Sequence, residues 1–289
     1  MAAGDLITGD WQAEYNGVLL GDGTPFLISQ VTGLLDLPDI TTADQSRLRR
    51  HGLRAGDDFT AGRRFAFTLE ISSTDTVTFS DAVDQLMAAT TPGGDPAALV
   101  FQIPGVAGSG KRTVFCRPRR RSLPVGREFY YELPLATIEF YSVDPRIESN
   151  TLGSDSTTLA SAGGGLNFNA TAPFTFGAVS VGGTLNLANA GNFDAAPTIT
   201  ITGPVTNPAI ESITQGKTLS FTITLATGET LVIDTEERTV LLGGTASRYN
   251  TLDTDAEWFT LQPGNNEVRF QAATTTAATM DITWRSAWV

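Results

Sequence analysis

An all-β fold, β-rich with one short helix, is what the sequence predicts, and three observations carry it. In the second half of the chain apolar side chains recur at every second position: Ile199 and Ile201, then Leu219, Phe221, Ile223 and Leu225, then Leu231 and Ile233, Val268 and Phe270, and Ile282, Trp284 and Trp288. Side chains alternate across a pleated strand, so this period gives sheets with one buried and one wet face. Turn signals punctuate the same stretch, among them Gly182-Gly183, Gly203-Pro204, Asn207-Pro208, Thr227-Gly228, Gly243-Gly244 and Pro263-Gly264. Short strands at that spacing suggest a sandwich or jelly roll. Composition agrees: hydrophobic residues make up 41% and charged residues 17%, too much patterned apolar content for a disordered chain.

The first half reads as β with the one helix. Val18 to Leu20, then Gly21-Asp22-Gly23, then Phe26 to Val31 suggest a hairpin around a Gly-rich turn. Phe65, Phe67, Leu69 and Ile71 alternate with Arg64, Ala66, Thr68 and Glu70, a strand. Ser80 is placed to cap a helix near residues 80–90 with Asp81 and Asp84 in its first turn and Val83, Leu86 and Met87 as its apolar stripe. Pro92-Gly93-Gly94 stops it. Leu99, Phe101 and Ile103 form another strand, as do Val114 to Arg117 and Phe129 to Val143, where Pro134 implies an edge or a bulge.

With 289 residues there is length for two ordinary domains. The boundary falls near Asp144-Pro145-Arg146, giving 1–146 and 147–289. Beyond it Ser149 to Gly165 is rich in Ser, Thr and Gly, a linker or the opening loops of the second domain, and short strands begin at Leu166.

The net charge is −12, and it is uneven: residues 1–146 hold 14 basic and 18 acidic side chains, residues 147–289 hold 5 and 13. Acidity argues against general affinity for nucleic acid, which needs a positive field. Cys116 stands alone, which excludes an intrachain disulfide and a cysteine-based metal site. Met1 to Trp11 contains Asp5 and Asp10 and no apolar core, so no signal peptide is expected. No apolar run approaches the roughly 20 residues of a membrane helix.

Candidate chemistry is thin. Gly105 to Lys111 followed by Arg112 matches a phosphate loop except at the last place, where a magnesium-binding hydroxyl is needed. The residues after it, Thr113 to Arg117, are strand-like, and Pro118 would break a helix, so a Gly-rich hairpin loop is the expectation. The single histidine, His51, lies among Arg47, Arg49, Arg50 and Arg54 without a nucleophile elbow. Carboxylate pairs such as Asp57-Asp58, Glu236-Glu237 and Asp253 with Asp255 and Glu257 fit solvated turns better than a glycosidase or a calcium loop. No catalytic residue, metal or cofactor is therefore expected. The run Arg117-Pro118-Arg119-Arg120-Arg121 is the strongest charge feature, and an interchain salt-bridge role suits its repelling guanidiniums. Trp258 is a candidate sugar-stacking face, while Trp284 and Trp288 share the side of Ile282 and read as core.

In their order the motifs resemble the distal tail proteins of long-tailed bacteriophages. Tyr15-Asn16-Gly17 opens a hairpin, Val31-Thr32-Gly33-Leu34 closes it, and Arg50-His51-Gly52 leads through a turn to Gly62-Arg63. Later come Asn189 through Pro208, Gly228-Glu229, Leu231 to Thr235, Arg238-Thr239-Val240, Pro263-Gly264-Asn265-Asn266 and Thr283-Trp284-Arg285. The resemblance implies a tail-tube-like barrel or sandwich in 1–146 and a jelly-roll-like, galectin- or carbohydrate-binding-module-like sandwich in 147–289. It implies a structural virion protein and not an enzyme: a ring, usually of six subunits, at the tail tip. Such a ring joins the tube protein to tail-associated hub and receptor-binding or other baseplate proteins. Phage DNA passes through it as cargo, with no membrane partner. Synthesis would be in the host cytoplasm. In a cyclic ring each contact is heterologous, and Arg117, Arg119, Arg120 and Arg121 opposite Asp57 and Asp58 are the interface candidates. The competing expectations are a free-standing carbohydrate-binding sandwich using Trp258, a receptor-binding minor tail protein, and a cell-wall glycoside hydrolase.

Overall fold

The computed structural model describes residues 2–74, 76–159, 183–272 and 277–289. The strands read at Leu166 and the Gly182 turn lie outside these residues, as does the end of the Ser149–Gly165 stretch. Two compact units form, one from Met1–Thr151 with Trp288–Val289, the other from Leu152–Ala287. No helix among the described residues is long and apolar enough to cross a membrane.

In the first unit, β1 (Gln12–Tyr15), β2 (Val18–Gly21), β3 (Phe26–Thr32), β4 (Ile40–Thr42), β5 (Gln45–Ser46), β6 (Leu53–Arg54), β7 (Asp58–Thr60) and β8 (Arg63–Ile71) precede α1 (Phe79–Ala89). Then come β9 (Ala97–Gln102), β10 (Arg112–Ser122), α2 (Arg127–Tyr130), β11 (Leu135–Ser142) and β12 (Ile147–Ser149). The main sheet runs β2-β1-β9-β10-β11-β8-β3. β10 makes this continuous: Arg112 to Cys116 pair with β9, and Arg117 to Ser122 pair with β11 through an irregularity between Pro118 and Arg120.

The alternation read in β8 is real. Phe65, Phe67, Leu69 and Ile71 are buried while the residues between them face out. Each such side chain contributes about 2 kcal/mol by leaving water. Phe140 from β11 stacks on Phe65 at 5.5 Å and meets Phe67 and Tyr15 edge-on at 6.2 and 5.0 Å.

Four details depart from the sequence expectation. The early hairpin turns at Asn16-Gly17, both at positive φ (48° and 76°), the geometry of a tight two-residue connection, and joins β1 to β2. The Gly21–Gly23 segment instead leads into β3, which pairs with β8. The helix is capped by Thr78, not Ser80: Thr78 Oγ1 accepts from the Asp81 amide. Pro134 ends no strand interior, because residues 127–130 form the short α2 and β11 starts at Leu135. Trp288 belongs to the first unit, where it packs against that core with Arg112 over its ring at 4.1 Å.

The second unit has two main sheets. One orders β13 (Gly153–Thr158), β24 (Thr279–Trp284), β15 (Thr198–Thr202), β20 (Thr230–Asp234), β21 (Thr239–Leu242) and β22 (Ala246–Ser247) side by side; the other orders β14 (Thr184–Asn189), β23 (Gly264–Ala272), β17 (Pro208–Ser212) and β18 (Lys217–Ser220). Inward residues of both, including Ile199, Ile201, Leu231, Ile233, Ile210, Leu219, Phe270 and Ile282, form one core, as sandwich packing requires. The run Leu219–Leu225 is not one strand: β18 stops at Ser220, and β19 (Thr224–Leu225) pairs instead with β16 (Val205–Thr206).

Candidate functional site

Between β3 and β8 the chain leaves the first unit's sheet as a narrow arm. Two short ladders hold it, Ile40–Thr42 with Asp58–Thr60 and Gln45–Ser46 with Leu53–Arg54. Its root is locked by Arg63, the largest fully buried side chain of the fold. Arg63 Nη1 donates to the Leu34 and Asp36 carbonyls at 2.7 and 2.9 Å, and Nε to the Pro145 carbonyl at 2.9 Å. Burial lowers the guanidinium's pKa, with Asp36 opposing the shift. Nothing in the local sequence marks Arg63 as the clamp; its alternation with the inward residues of β8 was the available signal.

The sequence-predicted arginines lie on the outer half of β10. Arg117 is 4.0 Å from Asp95 and Arg120 is 3.5 Å from Glu139, both at the surface. Arg121 Nη1 donates to the Met87 carbonyl and the Thr90 hydroxyl at 2.9 and 2.6 Å, which fastens the C-terminal end of α1. Arg119, at the strand irregularity, lies over the Tyr141 ring at 5.3 Å, as does Arg64 at 5.7 Å. Each of the four guanidiniums thus has a group of the same subunit beside it, although the Arg117 Nε is buried without a hydrogen bond. Arg119 and Arg120 are the exposed members. An open groove of about 780 Å³ runs beside them, lined by Asp36, Arg64, Arg119, Glu139 and Tyr141 among others. Asp57 and Asp58 are exposed on the arm, in and beside β7.

Trp258 is half-buried against the second unit's core next to buried Phe259. Trp284 is likewise packed there, its indole donating to the Ala188 carbonyl at 3.0 Å. The phosphate-loop-like stretch connects antiparallel β9 and β10. Its centre is taken by its own Arg112, which donates to the carbonyls of Ala107, Ser109 and Lys111 at 2.6, 2.9 and 3.1 Å. A loop that turns carbonyls toward a cation is arranged oppositely to one that cradles phosphate with amides. His51 sits near the turn of the arm, exposed among its arginines.

Sequence reasoning missed a second exposed surface. The segment after β10 presents Val125, Tyr130, Tyr131, Leu133 and Leu135 to solvent. It is anchored where Phe129 meets Phe79 of α1 at 5.0 Å. Leu27 joins this ledge, since Leu27 and Leu135 flank Glu70 across the β3-β8-β11 ladders.

Residues 190–288 match the family described as siphovirus-type tail component, C-terminal domain. No curated protein matches the sequence. Among solved structures, the SPP1 Dit protein, described as a paradigm of the hub adsorption apparatus in phages infecting Gram-positive hosts, is similar with a TM-score of 0.65 and 14% identity. That match covers 95% of this chain and 98% of that one. Two structures of the phage P2 baseplate in its activated conformation, with calcium and with strontium, match with TM-scores of 0.46 and 0.43 and 11% identity, over 94% of this chain and 97% of theirs. Residues 190–288 are thus similar to the C-terminal domain of siphovirus-type tail components, and the chain as a whole shares the fold of the SPP1 Dit protein.

Proposed function

We propose that this protein is a structural component of a siphovirus tail tip, a ring that joins the tail tube to the baseplate and leaves a channel for DNA. One observation carries the reading: a single chain combines a tail-component match over residues 190–288 with the Dit fold over nearly its whole length. In this reading residues 1–146 form the ring, usually of six subunits, and residues 147–289 form a sandwich that holds hub, receptor-binding or other baseplate proteins. The protein resides in the virion, and DNA is passing cargo.

Physical features of the first unit support it. The outer edges of its sheet, β2 and β3, need cover, because an open edge row invites uncontrolled pairing. Cyclic closure covers such edges with unlike patches of neighbouring copies. Asp57 and Asp58 on the arm and Arg119 and Arg120 on β10 are one such unlike pair. Arg117 and Arg121 take a supporting part within the subunit.

Negative-stain imaging of the purified protein tests the reading, with whole virions alongside in case assembly needs a neighbouring tail protein. Annular particles, or antibody decoration of the tail tip, are expected. Solitary particles at high concentration together with undecorated tails would overturn it.

A further inference from the structure

The arm and the ledge each expose a group of apolar side chains, and the arm's basic tip contrasts with the two carboxylates and one guanidinium of the ledge. Every arm residue from 39 to 59 is exposed, including Ile40, Leu53, Phe59 and Leu48, the last 90% exposed near the tip. Two-stranded ribbons of this kind are marginal in water without a surface to lie on. Arg47, Arg49, Arg50 and Arg54 crowd the tip, while Asp57 and Asp58 lie nearer the root. The ledge mixes Val125 (82% exposed) and Tyr130 (81%) with the exposed carboxylates of Glu128 and Glu132.

The order of charges also matches. Along the arm from root to tip the sequence of signs is acidic at Asp57 and Asp58, then basic at the four arginines. Along the body from β10 to the ledge it is basic at Arg119 and Arg120, then predominantly acidic on the ledge, where Glu128 and Glu132 outnumber Arg127. Asp58 pairs with Thr42, and the seven residues from Thr42 to Arg49 span at most about 23 Å of ribbon. Arg120 pairs with Glu139, and the seven residues from Glu139 back to Glu132 span at most about the same distance. Within these limits the two charge orders run with opposite polarity. The arm root leaves from the Arg63 end of β8, whereas the ledge borders Glu70 at its other end. Donor and acceptor patches are thus different surfaces, which makes the contact heterologous.

We propose, resting on the ring reading above, that the arm of each subunit lies along β10 and the α2 ledge of a second copy of this chain, Asp57 and Asp58 meeting Arg119 and Arg120, and the arginine tip meeting Glu128 and Glu132. The apolar residues of the arm are then covered by Val125, Tyr130, Tyr131 and Leu133. A second copy is the partner with fitting charge: outside the tip arginines the chain holds 15 basic against 31 acidic side chains.

Charge reversal on the full-length chain tests this by sedimentation. Arg49→Glu/Arg50→Glu and, separately, Glu128→Arg/Glu132→Arg each weaken self-association by about tenfold or more, the scale of unpaired charges in a contact. An equimolar mixture of the two variants restores association, because tip-reversed and ledge-reversed subunits alternate with both contacts satisfied. A Leu48→Cys/Val125→Cys double variant gives a ladder of covalent oligomers under oxidising conditions, a readout that stands if a reversed variant misfolds. Reversed variants that assemble like the parent, or a mixture that stays dissociated while each variant is folded, would overturn the docking and leave the ring intact. A parent chain that never associates would overturn both.

Discussion

Arg63 Nη1 and the Leu34 carbonyl oxygen are 2.7 Å apart in the interior of the first unit, where a cation holds the arm root through backbone carbonyls. Its other contacts are the carbonyls of Asp36 and Pro145. Replacing Arg63 by Met leaves three backbone acceptors without their donor, at a cost of about 2–4 kcal/mol. Arg63→Lys is expected to rescue little, since one ammonium cannot reproduce the planar fork that reaches three carbonyls. Hydrogen exchange checks the site of damage: the amides of residues 34–36 and of Arg146 should lose protection while the second unit is unchanged.

The helix start offers a paired test. Thr78 Oγ1 accepts from the Asp81 amide at 3.2 Å and donates to its carboxylate at 2.7 Å. Thr78→Ala should cost about 1 kcal/mol, as loss of an N-cap does. Ser80→Ala, inside the helix, should stay within about 0.5 kcal/mol. Urea unfolding of the two variants separates the cap in the structure from the cap the sequence suggested.

How far the fold was legible follows from burial. Phe65 to Ile71, Ile199 with Ile201 and Leu231 with Ile233 alternate because one face of each strand meets a core, and period two survives in the sequence. The arm ladders escaped notice because both faces of Ile40–Thr42 and Asp58–Thr60 are wet, so no alternation is imposed. The break inside Leu219–Leu225 was hidden for the opposite reason: Leu219, Phe221 and Leu225 all reach the core although they pair with different strands. Of the proposed interface, Arg119, Arg120, Asp57 and Asp58 stand out in the sequence as charge runs. The ledge was not, because Tyr130, Tyr131 and Leu133 resemble core residues in any sequence.

Alkaline pH should weaken the first unit through Tyr15. Its phenol, donating to the Cys116 carbonyl at 3.4 Å, is pushed from 10.0 up to about 12, first by burial and then by the neighbouring Cys116 thiol. The unfolded chain releases this proton near pH 10 while the folded chain keeps it. The stabilisation is therefore complete below pH 10 and is lost as pH rises toward 12. Burial raises the Cys116 thiol too, with the same sign. Tyr15→Phe should flatten the fall in stability between pH 10 and 12, and Tyr15→Phe/Cys116→Val should flatten it further. Urea midpoints measured across that range check both; an unchanged slope in the double variant would refute the assignment.

In the second unit Asn189 ties three segments together, and the chemistry of its amide makes a sharp prediction. Its Nδ2 donates to the carbonyls of Phe193 and Leu261 at 2.7 and 2.9 Å, and its Oδ1 accepts from the amides of Gly191 and Ala287 at 3.0 and 3.3 Å. Asn189→Ala takes a partner from four backbone groups, of which the Leu261 carbonyl keeps the Ala195 amide, and should cost about 2–4 kcal/mol. Asn189→Asp is nearly the same shape, yet its carboxylate keeps only the acceptor side and turns a negative charge on two carbonyl oxygens. At neutral pH it should be at least as damaging as alanine. In acid the protonated carboxyl regains one donor, so the aspartate variant should recover stability relative to the alanine variant as pH falls. Trp284, whose indole bonds to Ala188 beside the site, gives the fluorescence signal for unfolding. Equal pH profiles for the two variants would show that Asn189 acts by filling space and not through its donors.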